Sequence, residues 1–388
     1  MQQKQANFLR KFSRITSGHT YLPEVDGLRC LALFSVVAII HISHYLDDTF
    51  FGAQFPAGTF WGNLIMNGGS GMTLFFMTSG FILSLPFARW QMLGGKKVQL
   101  KNYYLRRLTR LEPPYLIALL LFFAAHVWVT KTYTAGFLFP HLLASAVYLH
   151  NFIYHSFSLV LPVAWSLEVE VQFYVMAPLL FLLFRIRSGA LRRGIFVLVI
   201  LANAAHRYND WGLPHVLKFM HCFFMGLLLC DLYCHRISLF RNESWGALVG
   251  MASALAYLLV PSFLNPVCYA VNLLAQFFLF HAVLTNSFTR RFFSIPILTV
   301  IGGMCYSIYL LHYAVISFIG QAIQKWGLPV NTLGAALLVA GVMLLSILLV
   351  SAVYFRLVER PFMGLGVKGG EKRSKEGAIK DQSRLSDS

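Results

Sequence analysis

The sequence predicts an all-α fold: a polytopic transmembrane helical bundle of about ten spans, with a re-entrant or irregular segment near 137–164. Three observations carry this. The 388 residues are 57% hydrophobic and only 12% charged, too little charged surface to keep a soluble domain dispersed. Apolar runs of about twenty residues, enough to cross roughly 30 Å of hydrocarbon as helix, recur from end to end. The net charge of +17 is concentrated in short segments between those runs, as in cytoplasmic membrane loops. That distribution argues against nucleic acid as a partner, and the lack of long alternating strands argues against a β-barrel.

The elements follow in order. Residues 1–20 form a basic segment expected in the cytoplasm, where FLRKFSRI (8–15) suits either the inner membrane surface or a solvated tail. No cleavable signal is read there, because the first apolar run is long and no A-x-A-like site follows it. Run one (28–46) and run two (68–88) form an out-and-back pair between the basic N-terminus and the basic stretch GGKKVQLKNYYLRRLTR (94–110). Run three (111–130) goes outward. If run four (137–153) also crossed, the basic loop RIRSGALRR (185–193) after run five (165–186) would lie outside, so run four is read as re-entrant. The runs at 194–206, 215–234, 245–261, 267–286, 297–320 and 333–356 then leave every later basic segment inside. This gives ten spans with both termini cytoplasmic. Irregular backbone at membrane depth must be buried in protein or line a wet cavity, which makes 137–164 a site candidate. Residues 21–363 form the transmembrane domain, and 364–388, polar and Gly/Ser-rich, a disordered cytoplasmic tail.

Ionisable groups within a membrane are costly, so each is weighed for function. In DGLRCLALFSVVAIIHISH (26–44), Arg29 is either a snorkelling interfacial arginine or a functional one. His41 lies about 18 Å further along the axis and roughly 120° around an α-helix, and His44 lies nearer the exit. FFMTSGFILSL (75–85) places Thr78, Ser79, Gly80 and Ser84 in mid-run, open to helix packing or to a ligand's close approach. YYLRRLTRLEPPY (103–115) sets Arg106, Arg107 and Arg110 ahead of a Pro-Pro helix start. Positive-inside bias explains them, and so does a phosphate-rich ligand. In AWSLEVEVQFY (164–174), Ser166 is a candidate N-cap and Glu168 a dipole partner, while Glu170 and Gln172 lie deeper than capping requires. CYSIYLLHYAV (305–315) adds His312, and His41, Glu170 and His312 are read as sharing one polar cavity. His221, Cys222, Cys230, Asp231, Cys234 and His235 also gather, but without a CxxC pair they are read as packing and no metal is expected.

Together these segments resemble the acyltransferase-3 family of integral membrane acyltransferases over roughly 20–363. The resemblance rests on EVDGLRCLALFSVVAIIH, FFMTSGFIL, RRLTRLEPPY, WSLEVEVQFY, YSIYLLHYAV and YFRLVERPF (354–362), in that order and spacing. It implies a plasma (bacterial inner) membrane enzyme that moves an acyl group, often acetyl, from cytoplasmic acyl-CoA to a hydroxyl of a saccharide or glycan. No tightly bound cofactor is implied, acyl-CoA being the donor substrate. The family's arginine falls on Arg29, its histidine on His41 and the serine of its S-G-F motif on Ser79. Its basic pair falls on Arg107 and Arg110, its W-S-L-x-V-E glutamate on Glu170 and its late histidine on His312. The roles implied are His41 as base, Glu170 orienting or charging it, His312 or Ser79 positioning the acyl carbonyl or acceptor, and the three arginines holding the donor's phosphates. Two departures stand out. Eleven residues separate Arg29 from His41 where the family usually has ten, so the pair needs a bulge to share a helix face. Val171 replaces a usual second acid. The chain is expected to be a stand-alone member, without the extracytoplasmic hydrolase-like domain of many relatives. The rival readings are a transporter or flippase, which usually shows repeated halves not visible here, and a non-catalytic partner of a glycan assembly complex.

Overall fold

The computed structural model describes residues 21–55, 58–206 and 215–363; the basic segment 1–20 and the tail 364–388 lie outside them. Eleven principal helices follow one another: α1 (Pro23–Phe51), α2 (Phe60–Leu93), α3 (Leu100–Val129), α4 (Ala135–Ala146), α5 (Pro162–Arg185), α6 (Gly189–His206), α7 (Val216–Cys234), α8 (Glu243–Leu259), α9 (Pro266–Thr285), α10 (Cys305–Lys325) and α11 (Leu333–Met363). Eight of them, all except α4, α6 and α8, are long and apolar enough to cross a membrane. With 18 and 17 residues, α6 and α8 reach about 27 and 26 Å, close to the hydrocarbon thickness. They are not among the eight, so the described residues hold eight helices long and apolar enough to cross where about ten spans are expected.

Run four is the exception the charge pattern singled out. Its helix α4 has 12 residues, about 18 Å, too short to cross. A single turn at His150–Tyr154 and irregular backbone to Leu161 follow. Tyr148, His150, Asn151, Ser158, Val160 and Leu161 of this stretch are buried in protein, while Leu149, Phe152, Ile153 and Phe157 are exposed; non-helical backbone at membrane depth needs such protein cover or a wet cavity.

Side-chain oxygens fix several helix starts. Thr134, Asn242, Asn265 and Thr332 each accept the backbone N–H three residues on, at the heads of α4, α8, α9 and α11. One start differs from the sequence reading. The Pro113–Pro114 pair lies inside α3, which begins at Leu100, so the arginines of 103–115 ride on the helix and do not precede it. Arginine is a good helix former, and its charge does not end a helix where water is near.

The core centres on the crossing of α2 and α7. A Cβ on Gly80 would lie 2.3 Å from the Phe223 carbonyl oxygen, and one on Gly226 would lie 2.3 Å from that of Met77. The two backbones therefore touch, which only small residues permit. Phe173 and Phe223 stack beside the crossing with ring centroids 3.8 Å apart. Along α7 the His/Cys/Asp group divides between two networks, one near each end. His221 bonds Asn203 and Tyr269, while Asp231 accepts from Arg192 and Arg193 of α6. Among the described residues no group of three or more His, Cys, Asp or Glu could hold a metal ion.

Candidate active site

Helix α1 resolves the register between Arg29 and His41. It is α-helical over Pro23–Phe34 and π-helical over Ser35–Ile42. A π-turn takes one residue more than an α-turn, so it absorbs the additional residue and turns the roughly 120° offset back to about 20°. The surroundings fit that widened turn closely. A Cβ on Gly68 of α2 would sit 2.4 Å from the Ser35 carbonyl oxygen and 2.7 Å from the Ile40 nitrogen. From α8, the Tyr257 hydroxyl donates to Ser35 Oγ at 2.7 Å.

His41 meets His312 of α10, with Nδ1 2.7 Å from His312 Nε2 and the rings nearly parallel. His312 is fully buried, and its Nδ1 lies 2.8 Å from the Tyr309 carbonyl oxygen. A carbonyl can only accept, so His312 carries its hydrogen on Nδ1 and offers a lone pair at Nε2. His41 must then donate from Nδ1, which leaves its own Nε2 as an acceptor. That atom has no hydrogen-bond partner among the described residues and is not sealed from solvent. His44 is different: it is half exposed and 3.4 Å from Asp48.

Glu170, read from sequence as orienting or charging His41, makes no hydrogen bond to it among the described residues. Its Oε1 accepts from Ser79 at 2.6 Å and from Tyr174 at 2.5 Å. The cause is local, since Tyr174 lies one turn below Glu170 on α5 and Ser79 faces both from α2. The single shared cavity is therefore two hydrogen-bonded groups with Tyr309 between them. The Tyr309 carbonyl holds His312, its hydroxyl donates to Val163 at 3.0 Å, and Glu170 lies within its Coulombic reach. Ser166 is not a cap either: α5 opens with a 3-10 turn at Pro162–Ala164, and the Ser166 hydroxyl donates to Tyr309 at 2.8 Å. Glu168 instead receives the backbone N–H of Asn151 at 3.1 Å and so braces the irregular segment.

The three predicted arginines gather below these groups. Arg29 is buried and paired with Asp26 at 3.0 Å, so it does not snorkel. The Arg107 guanidinium lies 3.7 Å over the Tyr103 ring and donates to the Tyr103 carbonyl at 2.8 Å. Arg107 and Arg110 both bear on Tyr174, and Arg29 and Arg110 both bear on Cys305. The Nε atoms of Arg107 and Arg110 are buried without a hydrogen-bond partner. Arg106 is exposed and bonded back to Asn102. Tyr174, Tyr309, Asp26 and Glu359, whose carboxylate accepts from Ser307 at 2.5 Å, belong to the site without having been singled out. Tyr174 could have been found from its i+4 spacing to Glu170.

Fold and site together define an integral membrane protein with a hydrogen-bonded histidine pair inside its bundle and three arginines near it. A family model described as an acyltransferase domain, that of the acyltransferase-3 family, matches residues 22–352, and the chain belongs to this family. Its relatives include "Putative O-acetyltransferase SAR0937" of Staphylococcus aureus strain MRSA252, 24% identical over 91% of this chain and 59% of the relative. They also include "O-acetyltransferase OatA" of Staphylococcus aureus strain NCTC 8325, 25% identical over 90% of this chain and 58% of the relative. The chain thus spans about three fifths of the length of these relatives. No solved structure matches it.

Proposed function

We propose that this chain is a membrane O-acyltransferase that moves an acyl group, with acetyl the first choice, from cytoplasmic acyl-CoA to a saccharide hydroxyl. The observation that carries the reading is the His41–His312 pair, which leaves one accessible lone pair at His41 Nε2. A sugar hydroxyl is too weak an acid to ionise at neutral pH, and a positioned base contributes typically about 10²–10⁴ in rate. His41 Nε2 takes the hydroxyl proton as the oxygen attacks the thioester carbonyl. The C–S bond then breaks, and the CoA thiolate recovers the proton from His41. His312 accepts from His41 Nδ1 throughout and stabilises the imidazolium formed in between. Ser79 and Tyr174 donate hydrogen bonds to Glu170 and so present lone pairs that can position the acceptor hydroxyl. Arg29, Arg107 and Arg110 hold the donor's phosphates; for Arg107 and Arg110 the reading is supported by Nε atoms without a hydrogen-bond partner among the described residues. The relatives' names support an acetyl group and an oxygen acceptor.

The test is transfer of label from radiolabelled acetyl-CoA to 4-nitrophenyl glycosides by the purified protein in proteoliposomes. His41→Ala is expected to lower the rate by about 10²–10⁴ at unchanged acetyl-CoA affinity. Full activity in that variant would remove His41 from the mechanism.

A further inference from the structure

A second histidine pair, outside that site, repeats its wiring. His141 of α4 places Nδ1 2.9 Å from His150 Nε2, and His150 Nδ1 lies 3.1 Å from the Ser156 carbonyl oxygen. The same argument applies: the carbonyl fixes the hydrogen on His150 Nδ1, His150 Nε2 accepts, and His141 donates from Nδ1. His141 Nε2 is left as a fixed acceptor, with no hydrogen-bond partner among the described residues and not sealed from solvent. The need to staple the irregular segment explains His150 and its bond to Ser156. It does not explain a lone pair left without a partner on His141, a residue only 8% exposed.

The surroundings of that lone pair are aromatic. The Tyr154 ring centroid lies 4.0 Å from that of His141 and the Phe137 centroid 5.4 Å, and Tyr133 stacks on Phe137 at 5.7 Å. Phe137 is exposed, and Tyr133 and Tyr154 are half exposed, so the row is open along one side. An interfacial aromatic belt would account for Tyr133 and Phe137, but not for a histidine locked to accept at the end of the row. Flat apolar faces with a few fixed polar groups are what a small polar ring needs from a binding site. The segment joins α3 to α5, on the side that charge bias places away from the basic loops.

We propose that Tyr133, Phe137, His141 and Tyr154 form a subsite for the saccharide acceptor, in which His141 Nε2 accepts a hydrogen bond from a sugar hydroxyl. This rests on the acyl-transfer reading of the His41 site. The test uses the full chain in proteoliposomes, radiolabelled acetyl-CoA and 4-nitrophenyl glycosides of glucose, galactose and N-acetylglucosamine at varied concentration. His141→Asn keeps an amide donor near the Nδ1 position, and with it the bond to His150, but removes Nε2. The expected result is a glycoside KM raised about five- to tenfold, the size of one hydrogen bond in a binding step, with kcat, acetyl-CoA KM and Tm unchanged. Tyr154→Leu is expected to act in the same direction. If the wild type transfers label and both variants keep its glycoside KM, the subsite is overturned; a fall in Tm and kcat at constant KM would assign the pair to folding alone. A wild type that labels no glycoside would instead sink the acyl-transfer reading, and the subsite with it.

Discussion

The hydrogen-bonded chain ending at His41 depends on two atoms that look alike in sequence and differ in chemistry. His312 Nδ1 is committed to a carbonyl, and its Nε2 alone serves His41. A group that only accepts can therefore replace His312, and one that cannot accept will fail. His312→Gln places a carbonyl oxygen near the Nε2 position and is expected to keep kcat within about tenfold, whereas His312→Ala is expected to lose about a hundredfold. Acetyl-CoA KM should be unchanged in both, and steady-state kinetics on the two variants checks this; equal loss in Gln and Ala would show that His312 does more than accept. His41 and His312 were both legible in the sequence as ionisable groups within apolar runs. Their contact was not, because 271 positions separate them and helical depth alone does not say which faces meet. The same ambiguity surrounds Glu170: an acid and a histidine at one depth look like direct partners, whereas Ser79 and Tyr174 are what the carboxylate bonds.

Among the elements, α1 makes the sharpest claim, because its π-helical turns exist to accommodate one residue. If that is their effect, removing a residue there should cost less than adding one. Deleting Ala38 lets Ser35–Ile42 revert to α-helix, leaving eleven steps between arginine and histidine and about 20° between their directions. Inserting an alanine after Ala38 adds a residue the widened turn has already spent its room on. The deletion is expected to keep acyl transfer within about tenfold of wild type, and the insertion to lose at least about a hundredfold, with label transfer to a glycoside as the readout. A deletion as inactive as the insertion would mean the π-segment does not set the register. The sequence showed the odd interval but not where it would be absorbed, since that depends on Gly68 and Tyr257 from other helices. Run four failed to read as a short helix for a related reason. Residues 137–153 are mostly apolar, with His141, Ser145, His150 and Asn151 among them, and nothing in that pattern shows that Tyr148 adopts a positive φ of 59° just past the end of α4.

For the whole molecule, the question is whether the two ends of the bundle really face opposite solutions, and α4 decides it. Trp61, Trp128 and Trp326, 57%, 67% and 71% exposed, lie at the ends of α2, α3 and α10 remote from the basic loops, where amphipathic rings favour a membrane interface. That agrees with the charge bias only if α4 does not cross. Composition and loop charge were enough to give the class, the order of the helices and this one exception, because hydropathy and the positive-inside bias act on segments and do not depend on side-chain partners. The consequence can be measured with single cysteines at exposed positions in a variant lacking the six native ones. Lys97→Cys, between α2 and α3, and Ser188→Cys, between α5 and α6, should react with a membrane-impermeant maleimide only after spheroplasts are permeabilised, whereas Thr132→Cys should react in intact ones. If α4 crossed, Ser188→Cys would react from outside and Arg185, Arg187, Arg192 and Arg193 would stand on the wrong side of the membrane. The 12 residues of α4, about 18 Å against roughly 30 Å of hydrocarbon, are why that outcome is not expected, and why the segment holding His141 and His150 should stay on the face opposite the basic loops.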